Sequence, residues 1–146
     1  MARPTNTRFA VAVHALTLLA DAAPASMSSE EMAGSARSNP VYVRRVLGVL
    51  RTAGLVASRP GVGGGWHLLA DPATTTLADV WRAIYGGDPL LGLHETAPDC
   101  RVGRAIQAEL ARIDRRAAQA VEAELEGTTV AQLVARAAPR SSGAVH

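Results

Sequence analysis

The feature that most constrains the fold is a glycine-rich segment between two short apolar runs. The runs are LVASR at residues 55–59 and WHLLA at residues 66–70, and the segment PGVGGG joins them. Two strand-like runs around a flexible turn are typical of a β-hairpin, because glycine adopts the backbone conformations that tight turns need. The pair Asp71-Pro72 ends the second run. The sequence therefore predicts a small two-stranded hairpin here.

The glycine-rich segment does not match the common phosphate-binding loops. A Walker loop ends in a lysine, and the chain contains no lysine. The dinucleotide fingerprint requires a third glycine where this chain has Trp66, and an apolar run follows instead of a helix. The sequence also shows no Ser/His/Asp constellation and no metal-ligand spacing. We therefore predict that the protein is not an enzyme.

Helix start and stop signals place helices on both sides of the hairpin. Ser28 and Glu31 have the spacing of a capping box, and so do Thr76 and Asp79. Asn39 is followed by proline, which is a favoured first helical residue. The predicted helices begin near residues 7, 28, 39, 76, 99 and 129, and the fifth is by far the longest.

The order of short helix, turn, arginine-bearing helix and hairpin is typical of a winged helix-turn-helix domain. Four aliphatic residues predict the buried face of the third helix: Val43, Val46, Leu47 and Leu50. The opposite face carries Arg44 and Arg45, whose guanidinium groups suit bidentate bonds to guanine or to phosphate. We therefore predict a mainly α fold with a small β-hairpin wing.

Positive charge is concentrated in this region. Five arginines and no acidic residue lie between residues 32 and 70, in a chain whose formal net charge is only +2. A local positive block is the pattern expected for a polyanion partner, and here it favours double-stranded DNA. Two alternatives remain open: the arginines form an ordinary solvated face, or the domain is a protein–protein interaction module that does not bind DNA.

Three segments carry a resemblance to a known family. RFAVAVHALTLLA, SNPVYVRRVLGVLRTAGLVASRPGVGGGWHLLA and APDCRVGRAIQAEL resemble the Rrf family of bacterial transcription regulators, to which IscR, NsrR and CymR belong. The resemblance implies a cytoplasmic homodimer that binds a palindromic operator, usually as a repressor, and responds to a redox or small-molecule signal.

The resemblance also implies which residues contact DNA. By position, Asn39, Tyr42, Arg44 and Arg45 match the family's recognition-helix contacts, and Arg59 matches its wing arginine. The place of the hairpin directly after the recognition helix adds the tip glycines to the predicted DNA contacts. These tip residues are Gly63 and Gly64.

The chain departs from the cluster-binding members of the family. Those members carry three cysteines before the long helix, whereas this chain has only Cys100. An iron–sulfur cluster needs about four ligands, so the sequence favours the cluster-free branch, with no cofactor and no resident metal; an iron–sulfur-sensing regulator remains an alternative. Cys100 is then an inert thiol, a redox-sensing thiol or a metal ligand. A helix start and nearby arginines favour the thiolate, which is the reactive form.

The long helix is the predicted dimerisation element. Its apolar residues recur on one face: Val102, Ile106, Leu110, Ile113, Ala117, Val121 and Leu125. The stripe would be about 40 Å long, which exceeds what a domain of this size buries in its own core. Ile106, Leu110, Ile113 and Val121 are therefore predicted at a homodimer interface. The basic segment 112–116 and the acidic segment 122–126 would face each other across an antiparallel pair.

The predicted organisation has four parts. Residues 1–87 form the winged helix-turn-helix domain, 88–98 a loop, 99–136 the dimerisation helix with a short last helix, and 137–146 a disordered tail. The N-terminus resembles a secretory signal in composition, but Phe9, Val13 and Leu16 recur at helical spacing and favour an amphipathic helix. No apolar run reaches transmembrane length, so no membrane partner is predicted.

Overall fold

The computed structural model describes residues 6–139, and within that range the chain forms six α-helices and one antiparallel hairpin. The arrangement confirms the predicted fold class. The elements are α1 (Arg8–Ala22), α2 (Ser29–Ala36), α3 (Pro40–Thr52), β1 (Val56–Arg59), β2 (Gly65–Leu68), α4 (Leu77–Tyr85), α5 (Arg101–Leu125) and α6 (Val130–Ala137).

Polar side chains fix the helix starts where the sequence places them. In α2, Ser28 Oγ accepts a hydrogen bond from the Glu31 backbone amide at 3.1 Å, and Glu31 Oε2 accepts one from the Ser28 amide at 3.0 Å. Reciprocal bonds of the same kind begin α4, between Thr76 and Asp79, and α6, between Thr129 and Gln132. At α3, Asn39 Oδ1 accepts from the Val41 amide at 2.8 Å. Each of these caps satisfies an amide that the helix itself leaves unpaired.

The core lies between α1, α3 and α4, with β1 at its edge. Its largest fully buried side chains include Leu16 and Leu19 of α1, Leu47 and Leu50 of α3, and Val56 of β1. Each such side chain stabilises the fold by about 1.5–3 kcal/mol through removal of apolar surface from water. Met32 and Ala33 of α2 belong to the same buried cluster, so the core also joins the two helices of the helix-turn-helix.

Helix α6 returns to this core. Val130 is 1 % exposed and belongs to the same buried cluster as the residues of α1 and α3. Two backbone hydrogen bonds join the start of α6 to the start of α4. The Leu77 amide donates to Thr128 O at 2.9 Å, and the Val130 amide donates to Thr75 O at 3.0 Å. Although α6 follows α5 in the chain, it therefore packs with the winged helix-turn-helix.

A third segment of the chain pairs with the two strands of the hairpin. Strands β1 and β2 pair in antiparallel register, with Arg59 opposite Gly65. On the other edge of β2, Trp66 exchanges two backbone bonds with Met27, at 3.0 and 2.8 Å. The wing is thus anchored to the connection between α1 and α2.

The limits of the last two helices differ from the predicted limits by one or two residues. Helix α5 begins at Arg101, two residues after the predicted start, and Ala137 still belongs to α6, although the sequence pattern assigned it to the tail. Residues 140–146 of the predicted tail lie outside the described residues.

Candidate nucleic-acid interface

Helix α3 has a buried and an exposed face, as the sequence predicts. Its four aliphatic residues are each at most 2 % exposed and lie in the core: Val43, Val46, Leu47 and Leu50. Arg44 and Arg45 are exposed, and Val41, near the start of the helix, is 50 % exposed. Two guanidinium groups and a small apolar side chain therefore share the surface that a recognition helix would present to a major groove.

Arg44 is already engaged within the chain. Its Nη1 donates to Glu30 Oε1 at 3.1 Å and to Ser29 Oγ at 3.2 Å, so it links α3 to α2. The backbone amide of Glu30 and the hydroxyl of Ser29 contribute most to holding the Glu30 pKa below its ordinary value, and Arg44 adds to the effect. This pair was not predicted, because Glu30 lies just before the acid-free segment. Arg44 therefore has a positioning contact as well as a predicted DNA contact.

Arg45 is differently placed. Among residues 6–139 it forms no ion pair. Together with Arg8 and Tyr42 it borders a small cavity of about 220 Å³ beside α3. The Tyr42 hydroxyl lies 3.1 Å from Thr7 Oγ1, which ties this predicted contact residue to the start of α1. Of the two adjacent arginines, Arg45 has the side chain available to a partner.

The wing tip is held in a defined conformation. Gly61 and Gly63 have φ angles of +89° and +75°, which glycine adopts without strain. A Cβ on Gly64 would overlap the carbonyl oxygen of Arg59 and lie 2.8 Å from that of Gly61. Ser26 Oγ donates to Gly64 O at 3.0 Å. Close backbone packing therefore requires glycine at position 64, and the positive φ angles favour glycine at positions 61 and 63.

We expect Gly64→Ala to open the wing tip, because the new methyl group would overlap backbone atoms that cannot move independently. The free energy of unfolding should fall by about 1–3 kcal/mol, and the thermal denaturation midpoint measures this loss. Gly34→Ala is the matched control, since a methyl group added at this position of α2 would have nothing within 4 Å. Equal midpoints for the two variants would show that the tip is loosely packed.

Cys100 caps the long helix. Its Sγ accepts a hydrogen bond from the Gly103 amide at 3.2 Å, and the residue is exposed. Thr96 packs directly against Gly103, where a Cβ would overlap its side chain. The thiol is therefore accessible and fixed at the first turn of α5, a place compatible with both the inert and the redox-sensing interpretations.

The residues around Cys100 do not fit an iron–sulfur cluster. Between residues 6 and 139, no group of three or more His, Cys, Asp or Glu side chains is arranged to hold a metal ion. His94, Glu95 and Asp99, the further ligands that the sequence offers, do not join Cys100 in such a group. One thiolate alone does not supply the donor set that a cluster needs.

The outer face of α5 exposes apolar side chains. Val102 is 61 % exposed, Ile106 42 % and Ile113 40 %, whereas Leu110 and Val121 are half-buried within their own chain. The preceding loop runs back along α5, because the Leu91 amide donates to Asp114 Oδ1 at 2.6 Å. This loop adds three further exposed leucines to the surface, which the sequence pattern did not indicate: Leu90, Leu91 and Leu93.

The charges on α5 are paired differently from the prediction. Arg82 of α4 bonds Glu122 Oε2 at 3.2 Å and Glu126 Oε1 at 2.6 Å, and the bond to Glu126 contributes most to raising the Arg82 pKa. Arg112 pairs with Glu109, one turn away on the same helix. Within the described chain, Glu122, Glu126 and Arg112 therefore already have partners, and pairing of the basic and acidic segments across two chains stays a prediction.

Together, the helix-turn-helix, the anchored wing and the long helix with an apolar face define a winged helix-turn-helix protein. Residues 5–136 match the family model Rrf2, described as "Iron-dependent Transcriptional regulator". The chain therefore belongs to the Rrf2 family of transcriptional regulators, which confirms the resemblance and the prediction that the protein is a regulator and not an enzyme. None of the helices described between residues 6 and 139 combines the length and the hydropathy of a membrane-spanning segment.

Individual relatives agree with this assignment. The chain is 40 % identical over 121 residues to the "Putative HTH-type transcriptional regulator YwnA" of Bacillus subtilis (strain 168), covering 82 % of this chain and 89 % of that protein. A solved structure named "putative DNA binding protein" is 34 % identical, with a TM-score of 0.65 and coverage of 86 % and 97 %. CymR (YrzC), the global cysteine regulator of B. subtilis, shares the fold at 22 % identity and a TM-score of 0.64, with coverage of 92 % and 98 %.

Proposed function

We propose that the protein is a homodimeric repressor that binds a palindromic operator through α3 and the wing. The observation that carries the proposal is the exposed face of α3, where Arg45 is unpaired within the described chain and the wing arginine lies on the next element. Asn39, Tyr42 and Arg44 border the same face, and Gly63 and Gly64 shape the wing tip. A DNA-bound regulator works where the chromosome lies, so this proposal places the protein in the cytoplasm.

The dimer follows from the apolar face of α5. Val102, Ile106 and Ile113 leave water when two copies pair, and the stripe then drives association at about 25 cal/mol per Å² of apolar surface buried. Two-fold symmetry brings each patch against its own copy. It also places two recognition helices on successive major grooves, about 34 Å apart or a multiple of that, which matches a palindromic site.

Selection of operators from random double-stranded DNA tests the proposal. We expect the recovered sites to be palindromic, with half-sites one or more helical turns apart, and binding to weaken steeply as salt rises because phosphate contacts release counterions. Recovery of no enriched sequence would favour the alternative, a protein-interaction module with the same fold. Recovery of single half-sites would retain DNA binding and reject the dimer.

Cys100 is the proposed sensing thiol. Hydrogen peroxide would oxidise its thiolate to sulfenic acid: one peroxide oxygen is transferred to the sulfur as the O–O bond breaks, and the other leaves as hydroxide. The change occurs at the atom that caps α5, so it would disturb the start of the dimerisation helix. We expect peroxide to change operator affinity in the wild-type protein but not in Cys100→Ser, whose hydroxyl still caps the helix.

Fluorescence anisotropy with a labelled operator measures this effect, and mass spectrometry confirms the oxidation. Cys100→Ala is the comparison variant, because it removes both the thiol and the cap. An oxidised wild-type protein with unaltered operator affinity would assign Cys100 to the inert interpretation.

A further inference from the structure

A cavity lies behind the wing, at its junction with the connection between α1 and α2. Its volume is about 390 Å³, which is within the range of small-molecule sites. Side chains from three parts of the chain line it: Leu19 from α1, Pro24 and Ser26 from the connection, and Arg59, His67 and Leu68 from the hairpin. None of these residues belongs to the apolar face of α5, so the cavity is independent of the dimer interface.

One wall of the cavity has an unpaired polar atom. His67 Nδ1 is buried and has no hydrogen-bond partner within the described residues. Native proteins pair nearly all buried polar atoms, and an unpaired one costs about 1–3 kcal/mol. The nitrogen is closed to solvent in the structure, so a ligand in the cavity can bond it only if the ring rotates about its Cβ–Cγ bond. A ligand there that bonds the ring would remove the cost, so this orphaned nitrogen points to an occupant.

The other polar groups of the wall define the chemistry of that occupant. The Arg59 guanidinium makes no ion pair within residues 6–139, and its planar fork suits the oxygens of a carboxylate or a phosphate. No acidic side chain lines the cavity among the described residues. We propose that the cavity binds a small organic anion, whose carboxylate or phosphate oxygens bond Arg59 and His67.

Occupancy would be coupled to DNA binding. Arg59 is the proposed wing contact, so an anion that bonds its guanidinium competes with the DNA phosphate for the same donors. Ser26, which also lines the cavity, holds the tip through its bond to Gly64 O. The anion therefore acts as an inducer that lowers operator affinity. This regulatory step rests on the proposed function, whereas binding of the anion does not.

Titration of the 146-residue chain with three probes tests the site. Succinate and inorganic phosphate are the anions, and succinamide is the neutral analogue of succinate. Binding is followed by nuclear magnetic resonance of the His67 ring and by calorimetry. We expect one anion to bind at millimolar concentration or better and succinamide to bind at least about tenfold more weakly, because it lacks the charge that Arg59 recognises.

His67→Phe keeps the aromatic ring and removes both nitrogens, and His94→Phe on the exposed loop is the matched control. We expect the first substitution to weaken anion binding at least about tenfold and the second to leave it unchanged. If succinate binds and inorganic phosphate does not, the cavity is a carboxylate site. If phosphate binds and succinate does not, it is a phosphate site. Equal binding of succinamide, equal affinity of the two variants, or no shift of the His67 resonances with either anion would overturn the proposal.

The operator assay separates this proposal from the proposed function. Operator affinity is measured for wild type and for His67→Phe, each with and without the bound anion. We expect the anion to reduce wild-type affinity by at least about tenfold, and His67→Phe to lose most of that response. An anion that binds but leaves operator affinity unchanged would overturn the inducer role. A protein that binds the anion but no DNA would overturn the proposed function and leave the site standing.

Discussion

Replacement of Ile106 and Ile113 by glutamate is expected to make the protein monomeric and to abolish specific operator binding. Both side chains are about 40 % exposed on the outer face of α5, so two charges there would be buried without partners in a dimer. A monomer contacts only one half-site. In the dimer, binding of one subunit raises the effective concentration of the other at the second half-site, which increases affinity by about 10²–10⁴-fold. Analytical ultracentrifugation at micromolar concentration and operator anisotropy measure the two effects.

The control for this pair introduces the same two charges elsewhere on the helix. Ala108→Glu with Gln119→Glu places them on exposed positions well away from the stripe. This variant should remain dimeric and bind its operator. If the Ile106 and Ile113 variant also sediments as a dimer, association uses a different surface and the proposed interface is wrong.

The second large effect is expected from Arg44 and Arg45 on α3. Replacement of either by alanine should cost on the order of 1–3 kcal/mol of operator affinity, and the double variant should lose at least about a hundredfold. Each lost phosphate contact also reduces the salt dependence of binding by about one unit of slope, whereas a lost base contact relaxes specificity at one position. Titrations at several salt concentrations distinguish the two.

The structure separates the two arginines further. Arg44 links α3 to Glu30 of α2, so Arg44→Ala should also lower thermal stability slightly, whereas Arg45→Ala should not. Arg136→Ala removes an equal charge from the exposed last turn of α6 and serves as the control. A double variant that binds the operator as tightly as the control would refute recognition by α3.

The sequence best predicts structural features that depend only on residues close together in the chain. Ser28 with Glu31, and Asn39 before its proline, determine helix starts through bonds that span three residues or fewer, and the structure has each of them. The aliphatic spacing of α3 predicts its buried face for the same reason, since helical periodicity is a local property. The helix-turn-helix with its hairpin was therefore predictable from the order of these signals.

Apart from the Arg112–Glu109 pair within α5, the main unpredicted contacts join residues that are distant in the chain. Arg82 lies 40 and 44 positions from Glu122 and Glu126, and Met27 of the α1–α2 connection pairs with Trp66 of the hairpin. Such pairs depend on how helices pack, and no spacing rule encodes them. For this reason the charges of α5 were assigned to a second chain, and the anchoring of the wing was not predicted.

The backbone hydrogen bonds between the start of α4 and the start of α6 affect how the chain folds during its synthesis. The ribosome releases α1 to α4 well before α6, yet Val130 of α6 closes their core. Contacts between distant segments form late, because the intervening chain has to be ordered first. Since α5 lies between them, any nascent chain long enough to complete its core already carries the helix proposed for pairing. We therefore expect unfinished chains not to occupy operators as unpaired, half-made repressors.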